Sequence, residues 1–316
     1  MNNAFGAAEN TAKNLSRIAR EQAVLSERRI LELYDVTASA LAMSKLYALD
    51  GLTAYEILSA IDTDTPFSEY SEGDDTPDEV SASLTRTLSS LPAMDRIVFS
   101  DLYSDGAEKE GIPVAEADLL PTADGDETFI YLRNALADEA YDVFSQDFDD
   151  PRVRYATTLA ECARAVENGD ARFCLLPFEE RGGSRLPTVS EIIYRHDLKV
   201  NAVTPVFGFD GTADLKYALL SRDFIIPECA GEDDRYLELR LPKENCPLPE
   251  LLSAAEFFGA LVYRIQTLQL EGESEPRSFY SIVLRAEGRD FVLLLMYLFT
   301  FVKDFAPIGI YSNLEA

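Results

Sequence analysis

Ala171 to Ile193 reads ARFCLLPFEERGGSRLPTVSEII. Phe173-Cys174-Leu175-Leu176 is a short apolar run that predicts a buried strand, and Pro177, which cannot donate to a strand ladder, is expected to end it. Glu179-Glu180-Arg181-Gly182-Gly183 follows as a loop. Thr188 is placed to cap a helix carrying Val189, Ile192 and Ile193 on one face, with Glu191 in its first turn. Working outward, Thr157 to Val166 is a capped amphipathic helix stopped by Asn168-Gly169-Asp170, and Val153 to Tyr155 and Lys199 to Phe207 read as strands. Strand, helix, strand, loop, helix, strand is an α/β order. In such folds ligands sit where parallel strands end and the next helix offers free backbone N–H groups. A candidate ligand site therefore falls at the carboxyl ends of residues 173–176 and 200–207, walled by Glu179, Arg181, Ser184, Arg185 and Thr188. The plainer reading of the same residues is a solvated turn whose arginines pair with Glu179 and Glu180.

The charge balance narrows the partners. Among 316 residues, 56 are Asp or Glu and 28 are Lys or Arg, giving a formal net charge of -28. Phosphate backbones and anionic membranes would be repelled, so neither nucleic acid nor membrane is an expected partner. An acidic ligand needs a local basic pocket. Cys162, Cys174, Cys229 and Cys246 show no metal-ligand spacing, and neither a metal nor a cofactor is expected. Cys162 and Cys174 lie on apolar faces and read as reduced core residues. His196 ends a helix, without a base or nucleophile beside it, and reads as structural. The longest apolar run, Phe291 to Val302, is too short to span a bilayer, and the N-terminal stretch shows no charged n-region before an apolar signal segment, so a cytoplasmic protein is expected.

Elsewhere the pattern gives a helical segment over 1–62, in separate helices with Gly51 as a break, and an acidic linker over 63–94. Arg96 to Leu102 reads as a strand, Gly111 to Val114 as a short extended piece, Thr128 to Leu132 as a strand and Ala135 to Phe144 as a helix. Leu215 to Arg222 is another strand. From 229 to 316 the order is strand, helix, strand, strand, helix, strand, which is ferredoxin-like. Tyr236–Leu241, Val262–Leu270, Ser278–Arg285 and Ile308–Leu314 are its strands. Leu248–Phe258 is the first helix, and the second is capped by Asp290 and runs to Lys303.

From Phe129 to the C-terminus this order resembles the prephenate dehydratase family. There a strand ending Pro-Ile-Glu-Asn-Ser opens the active-site cleft and an Asp-Leu-Leu helix follows. Pro177-Phe178-Glu179-Glu180-Arg181 and Glu191-Ile192-Ile193 occupy those places, and Pro177 and Glu179 match outright. The resemblance implies an α/β lobe over 95–228 and an ACT-like regulatory domain over 229–316. The departures are chemical. The family's glycine-rich turn is Arg133-Asn134-Ala135-Leu136 here. Its second lobe is replaced by Gly208 to Asp214. Its Thr-Arg-Phe falls on Leu215-Lys216-Tyr217, so the catalytic threonine is Leu215. The two effector motifs of the ACT-like part fall on Pro247-Leu248-Pro249-Glu250 and Gln266-Thr267-Leu268-Gln269. A chorismate mutase is often fused at the N-terminus of this family, but the spacing of Arg17, Arg20, Arg28 and Arg29 fits a plain helical or dimerisation segment.

The resemblance implies a protein of phenylalanine metabolism that has lost catalysis and acts as a regulatory or ligand-sensing ACT-type protein. The alternative is an active prephenate dehydratase with its cleft rebuilt by residues 96–133 or by a second chain, and an interaction protein is the third reading. A small aromatic or carboxylate ligand is the expected partner. Phe291 to Phe301 is apolar nearly all round, which predicts a homodimer through the ACT-like domain.

Overall fold

The computed structural model describes residues 2–49, 88, 90–111, 114–122, 127–180, 183–207, 213–227, 234–244, 247–270 and 277–314. Two compact units divide the chain, Met1–Val114 and Ala115–Ala316. The first holds α1 (Asn2–Leu49) and α2 (Ala93–Lys109). The separate N-terminal helices expected from sequence are one helix as far as Leu49, because neither glycine nor proline interrupts residues 7–50. Residues 51–62 and most of the acidic linker lie outside the described residues. Leu33, Thr37 and Ala40, spaced as one helix face, are buried on α1. Leu41 of α1 packs over Gly106 of α2, where a Cβ would collide with it, and Arg29 pairs with Asp95.

α2 corrects the strand expected at Arg96–Leu102. Ile97, Ser100, Tyr103 and Ala107 are its buried stripe, at helical spacing. Ile97 and Phe99 alternate as a strand would, and so short a window does not separate the two periods.

The second unit contains, in order, α3 (Glu116–Leu119), β1 (Thr128–Leu132), α4 (Ala135–Phe144), β2 (Arg152–Ala156), α5 (Leu159–Glu167), β3 (Phe173–Glu180), α6 (Pro187–Arg195), β4 (Lys199–Phe207), β5 (Ala213–Ser221), β6 (Asp234–Pro242), α7 (Leu248–Phe257), β7 (Leu261–Leu270), β8 (Arg277–Glu287), α8 (Val292–Phe301) and β9 (Ala306–Ser312). All nine strands form one mixed sheet, ordered β2-β1-β3-β5-β4-β9-β6-β8-β7. Alternate residues of β3 serve opposite faces. Cys174 and Leu176 meet Cys162 and Val166 of α5 and Val189 and Ile193 of α6, while Phe173 and Leu175 meet Ala137, Ala140 and Phe144 of α4. Burial of both faces is why this strand reads as a continuous apolar run.

Pro177 does not end β3. The strand continues to Glu180, with a bulge between Pro177 and Glu179 that absorbs the missing donor. β4 and β5 form an antiparallel pair joined through residues 208–212, too few for a second lobe. β5 then lies between β3 and β4, antiparallel to both. The crevice expected between two parallel strands is therefore filled by Leu215 to Leu220.

The C-terminal half has the expected βαββαβ order, with its strands arranged β9-β6-β8-β7. It joins the rest of the sheet at β9, which runs parallel to β4 with Val200 opposite Gly309. A Cβ on Gly309 would lie 2.7 Å from the Val200 Cβ and 2.8 Å from its carbonyl oxygen, so only glycine allows this approach. Phe291, not Asp290, is the N-cap of α8. The Asp290 carboxylate accepts from Val292 N–H, while Phe291 N–H donates to Glu116 of α3, itself held by buried Arg235 at 2.7 Å. α8 buries Leu294 to Leu298 and has α3 and α7 as neighbours in the same chain. Val292, Leu293, Phe299 and Phe301 remain partly exposed on it.

Candidate functional site

The loop after β3 reverses the chain within a few residues. Gly183, at a φ of +80°, turns it in the left-handed region. Glu180 N–H donates to Ser184 O, Gly183 N–H to Glu180 O, and Leu186 N–H back to Phe178 O. This return sets Arg185 beside Glu179. Pro187 then opens α6 at a position where its missing N–H costs nothing, so Thr188 is the second helical residue and not the cap expected of it.

Arg185 is buried inside a cluster of charges. Its Nη2 donates to Glu238 of β6 at 2.6 Å, its Nε lies 3.4 Å from Glu179, and its guanidinium lies 3.3 Å above the Phe178 ring. The Arg185 and Glu238 side chains are 3% and 1% exposed. Glu238 also accepts from Tyr194 and Ser281. Arg264 of β7 donates to Glu179 at 2.8 Å and to the Gly183 carbonyl at 2.9 Å, and Lys216 stands 3.9 Å from Glu179. Burial works against the charge on Arg185, but Glu238 and Glu179 outweigh it and hold the guanidinium above its ordinary range. Burial, then the Glu238 charge, pushes Tyr194 above the tyrosine range, so its hydroxyl remains a donor.

Three cations, Arg185, Arg264 and Lys216, meet two carboxylates, Glu179 and Glu238. Among the described residues the cluster thus has one more cation than carboxylate in a chain of net charge -28, and of its five members only Arg185 lines the neighbouring cavity, along with Glu191. Its donors are also underused. Arg185 Nε, Arg264 Nε and Nη2, and Gln266 Nε2 are buried without a hydrogen-bond partner. Each such group costs about 1–3 kcal/mol unless something accepts from it. Against the cluster lies a cavity of about 670 Å³. Arg185, Thr188 and Tyr194 line it from the α6 side, and Gln266 to Gln269 line it from β7. A second cavity, of about 500 Å³, is mostly apolar, and its Asn201 amide is already bonded to Ser221, Asp223 and Ile225.

Of the residues predicted from sequence, Glu179 and Arg185 come together in the cluster, and Arg185 and Thr188 share the cavity. Ser184 is exposed, and Arg181 lies outside the described residues. Sequence reasoning missed Glu238, Tyr194, Arg264 and Gln266. Alternation along β6 puts Glu238 opposite Leu237 and Leu239, as if facing water, but α6 covers that face. His196 contacts Glu167 at 2.7 Å. Among the described residues no group of His, Cys, Asp and Glu is arranged to hold a metal ion, and no helix is long and apolar enough to cross a membrane.

No family model matches the chain, and no curated protein matches it in sequence. Solved structures are similar over about 60% of it. Prephenate dehydratase from Streptococcus mutans aligns at 15% identity and a TM-score of 0.47, over 59% of this chain and 98% of that one. GqqA, described as a novel type of quorum-quenching acylase, aligns at 16% and 0.43, over 60% and 96%. The prephenate dehydratase of Arthrobacter aurescens, solved with L-Phe, aligns at 15% and 0.44, over 58% and 90%.

Proposed function

We propose that the chain is a ligand-sensing, regulatory protein related to prephenate dehydratase, without dehydratase activity, and that a carboxylate-bearing ligand enters the cavity beside Arg185. One observation carries this. The cavity unites the loop singled out from sequence, through Arg185 and Thr188, with Gln266 to Gln269, where the resemblance puts an effector motif. Arg185 and the unpartnered Gln266 amide in its lining suit one carboxylate. The first-turn amides of α6 add positive potential from the same side.

Loss of catalysis follows from two features of this chain. Leu215 has no proton to give, and the link between β4 and β5, residues 208–212, is too short to build the second wall of a cleft. Purified protein is expected not to convert prephenate to phenylpyruvate. Turnover of roughly 1 per second or faster would instead favour an active enzyme with a rebuilt cleft.

A role in phenylalanine metabolism and a homodimer through the C-terminal half belong to the same proposal. The partly exposed apolar side chains of Val292, Leu293, Phe299 and Phe301 on α8 support the dimer. Light scattering at micromolar concentration is expected to give twice the chain mass.

A further inference from the structure

Resting on the carboxylate-site reading, we infer that the occupant is the carboxyl-terminal end of an extended peptide, which adds to β7 as a further strand while donors around Arg185 hold its terminal carboxylate. Four features of the site carry this. β7 is the last strand of the sheet and, among the described residues, pairs with β8 alone. It is ten residues long without proline or lysine, and Leu261, Val262, Tyr263 and Ile265 are exposed on it. Sheet edges of this kind accept another strand unless they are blunted. The opposite edge, β2, is blunted by exposed Arg152 and Arg154.

The cavity reaches that open edge. Gln266 and Leu268 face one side of the strand and Thr267 and Gln269 the other, yet all four line it. Its opposite wall is the α6 stripe Pro187, Thr188, Glu191 and Tyr194, about 10 Å long at the helical rise. Residues 266–269 span about 10 Å of strand. A groove of that length between a strand and a helix takes three or four residues of extended chain.

Charge selects the end of the peptide. Among the residues lining the groove Arg185 is the one cation, Glu191 is already held by Arg195, and the Gln266 amide nitrogen has no hydrogen-bond partner, which together match a single carboxylate. A polyanion would bring more negative charge than the cluster can balance, to a chain that is already strongly acidic. Main-chain bonds along β7 would then supply affinity without demanding one sequence.

The test uses the full chain and a pool of fluorescein-labelled random hexapeptides with free carboxyl termini, followed by the individual binders. Binders are expected. Amidating their carboxyl termini should weaken binding at least about tenfold, the value of a hydrogen-bonded charge. N-methylating alternate residues, or substituting Gln266→Ala, should weaken it similarly. Hydrogen exchange should slow at residues 261–270 on binding. The inference is overturned if no hexapeptide binds, if amidated peptides bind equally well, or if protection appears elsewhere. A thermal shift with free phenylalanine or prephenate but no peptide binding would retain the carboxylate site and remove strand addition. Peptide binding indifferent to amidation would remove the carboxylate reading as well.

Discussion

Replacing Glu238 by Leu tests the buried cluster most severely. Glu238 accepts from Arg185 at 2.6 Å and from Tyr194 and Ser281 at 3.2 Å each. Its loss leaves Arg185 with Glu179 alone, at 3.4 Å. Removing one partner of a buried ion pair costs about 3–5 kcal/mol, so about 4 kcal/mol is expected for Glu238→Leu. Arg185→Met should cost less, about 3 kcal/mol, because Glu238 keeps two hydroxyl donors and Glu179 keeps Arg264. In the double variant Arg185→Met/Glu238→Leu no unpaired charge remains, and only the Tyr194 and Ser281 hydroxyls lose an acceptor. It should be about 2 kcal/mol less stable than the parent, hence more stable than either single variant. Urea unfolding followed by circular dichroism reads these differences as midpoint shifts at constant slope. In a unit of about 200 residues a loss of about 4 kcal/mol also lowers Tm by roughly 8–16 °C. Either single variant within about 1 kcal/mol of the parent, or a double variant equal to the sum of the singles, would refute the reasoning.

Gly309→Ala should cost about 1–3 kcal/mol by forcing β4 and β9 apart at Val200, read as a lowered Tm. Thr158→Ala should cost about 1 kcal/mol, since its side chain accepts from Glu161 N–H at the start of α5. In return Glu161 accepts from the Thr157 N–H and hydroxyl, and these bonds, the amide first, lower its pKa below the model-compound value of 4.5. A depressed folded pKa means that this contribution is complete above about pH 4.5 and is lost as pH falls through the lower value. The penalty of Glu161→Gln, which removes the carboxylate, should therefore shrink in acid. Burial pushes Cys162 up to about 11 and Cys174 further, so mass-spectrometric mapping after alkylation at pH 8 should find both unlabelled in native protein and labelled once unfolded.

The parts of the fold legible in the sequence are those in which one period dominates. β3, α5, α6 and β4 were readable because turn residues bound their apolar runs, and the C-terminal βαββαβ order because β6, β7 and β8 alternate cleanly. α2 was not, because Ile97 and Phe99 alternate inside a helix. The end of β3 was misplaced because a bulge lets Pro177 remain in the strand. Arg185 was found as a loop cation with helix amides beside it. Its partner Glu238 was hidden by strand alternation, which cannot tell a face covered by a helix from one covered by water. Arg264 and Gln266 carried a weak signal, two polar residues sharing a face with Leu268, which becomes a site only once the sheet brings β7 opposite α6.

The measurement that bears most directly on the central claim is a thermal-shift titration of the parent and Gln266→Ala proteins with phenylalanine, tyrosine, tryptophan and prephenate. A ligand bound only by the native state and present at about 100 times its Kd stabilises by about 2.7 kcal/mol, or roughly 5–10 °C for a unit of this size. At least one of these carboxylates is predicted to raise the parent Tm by that order, less in Gln266→Ala, with no phenylpyruvate formed. An unmoved Tm with all four, or an equal rise in Gln266→Ala, would contradict a sensor of small carboxylates at Arg185.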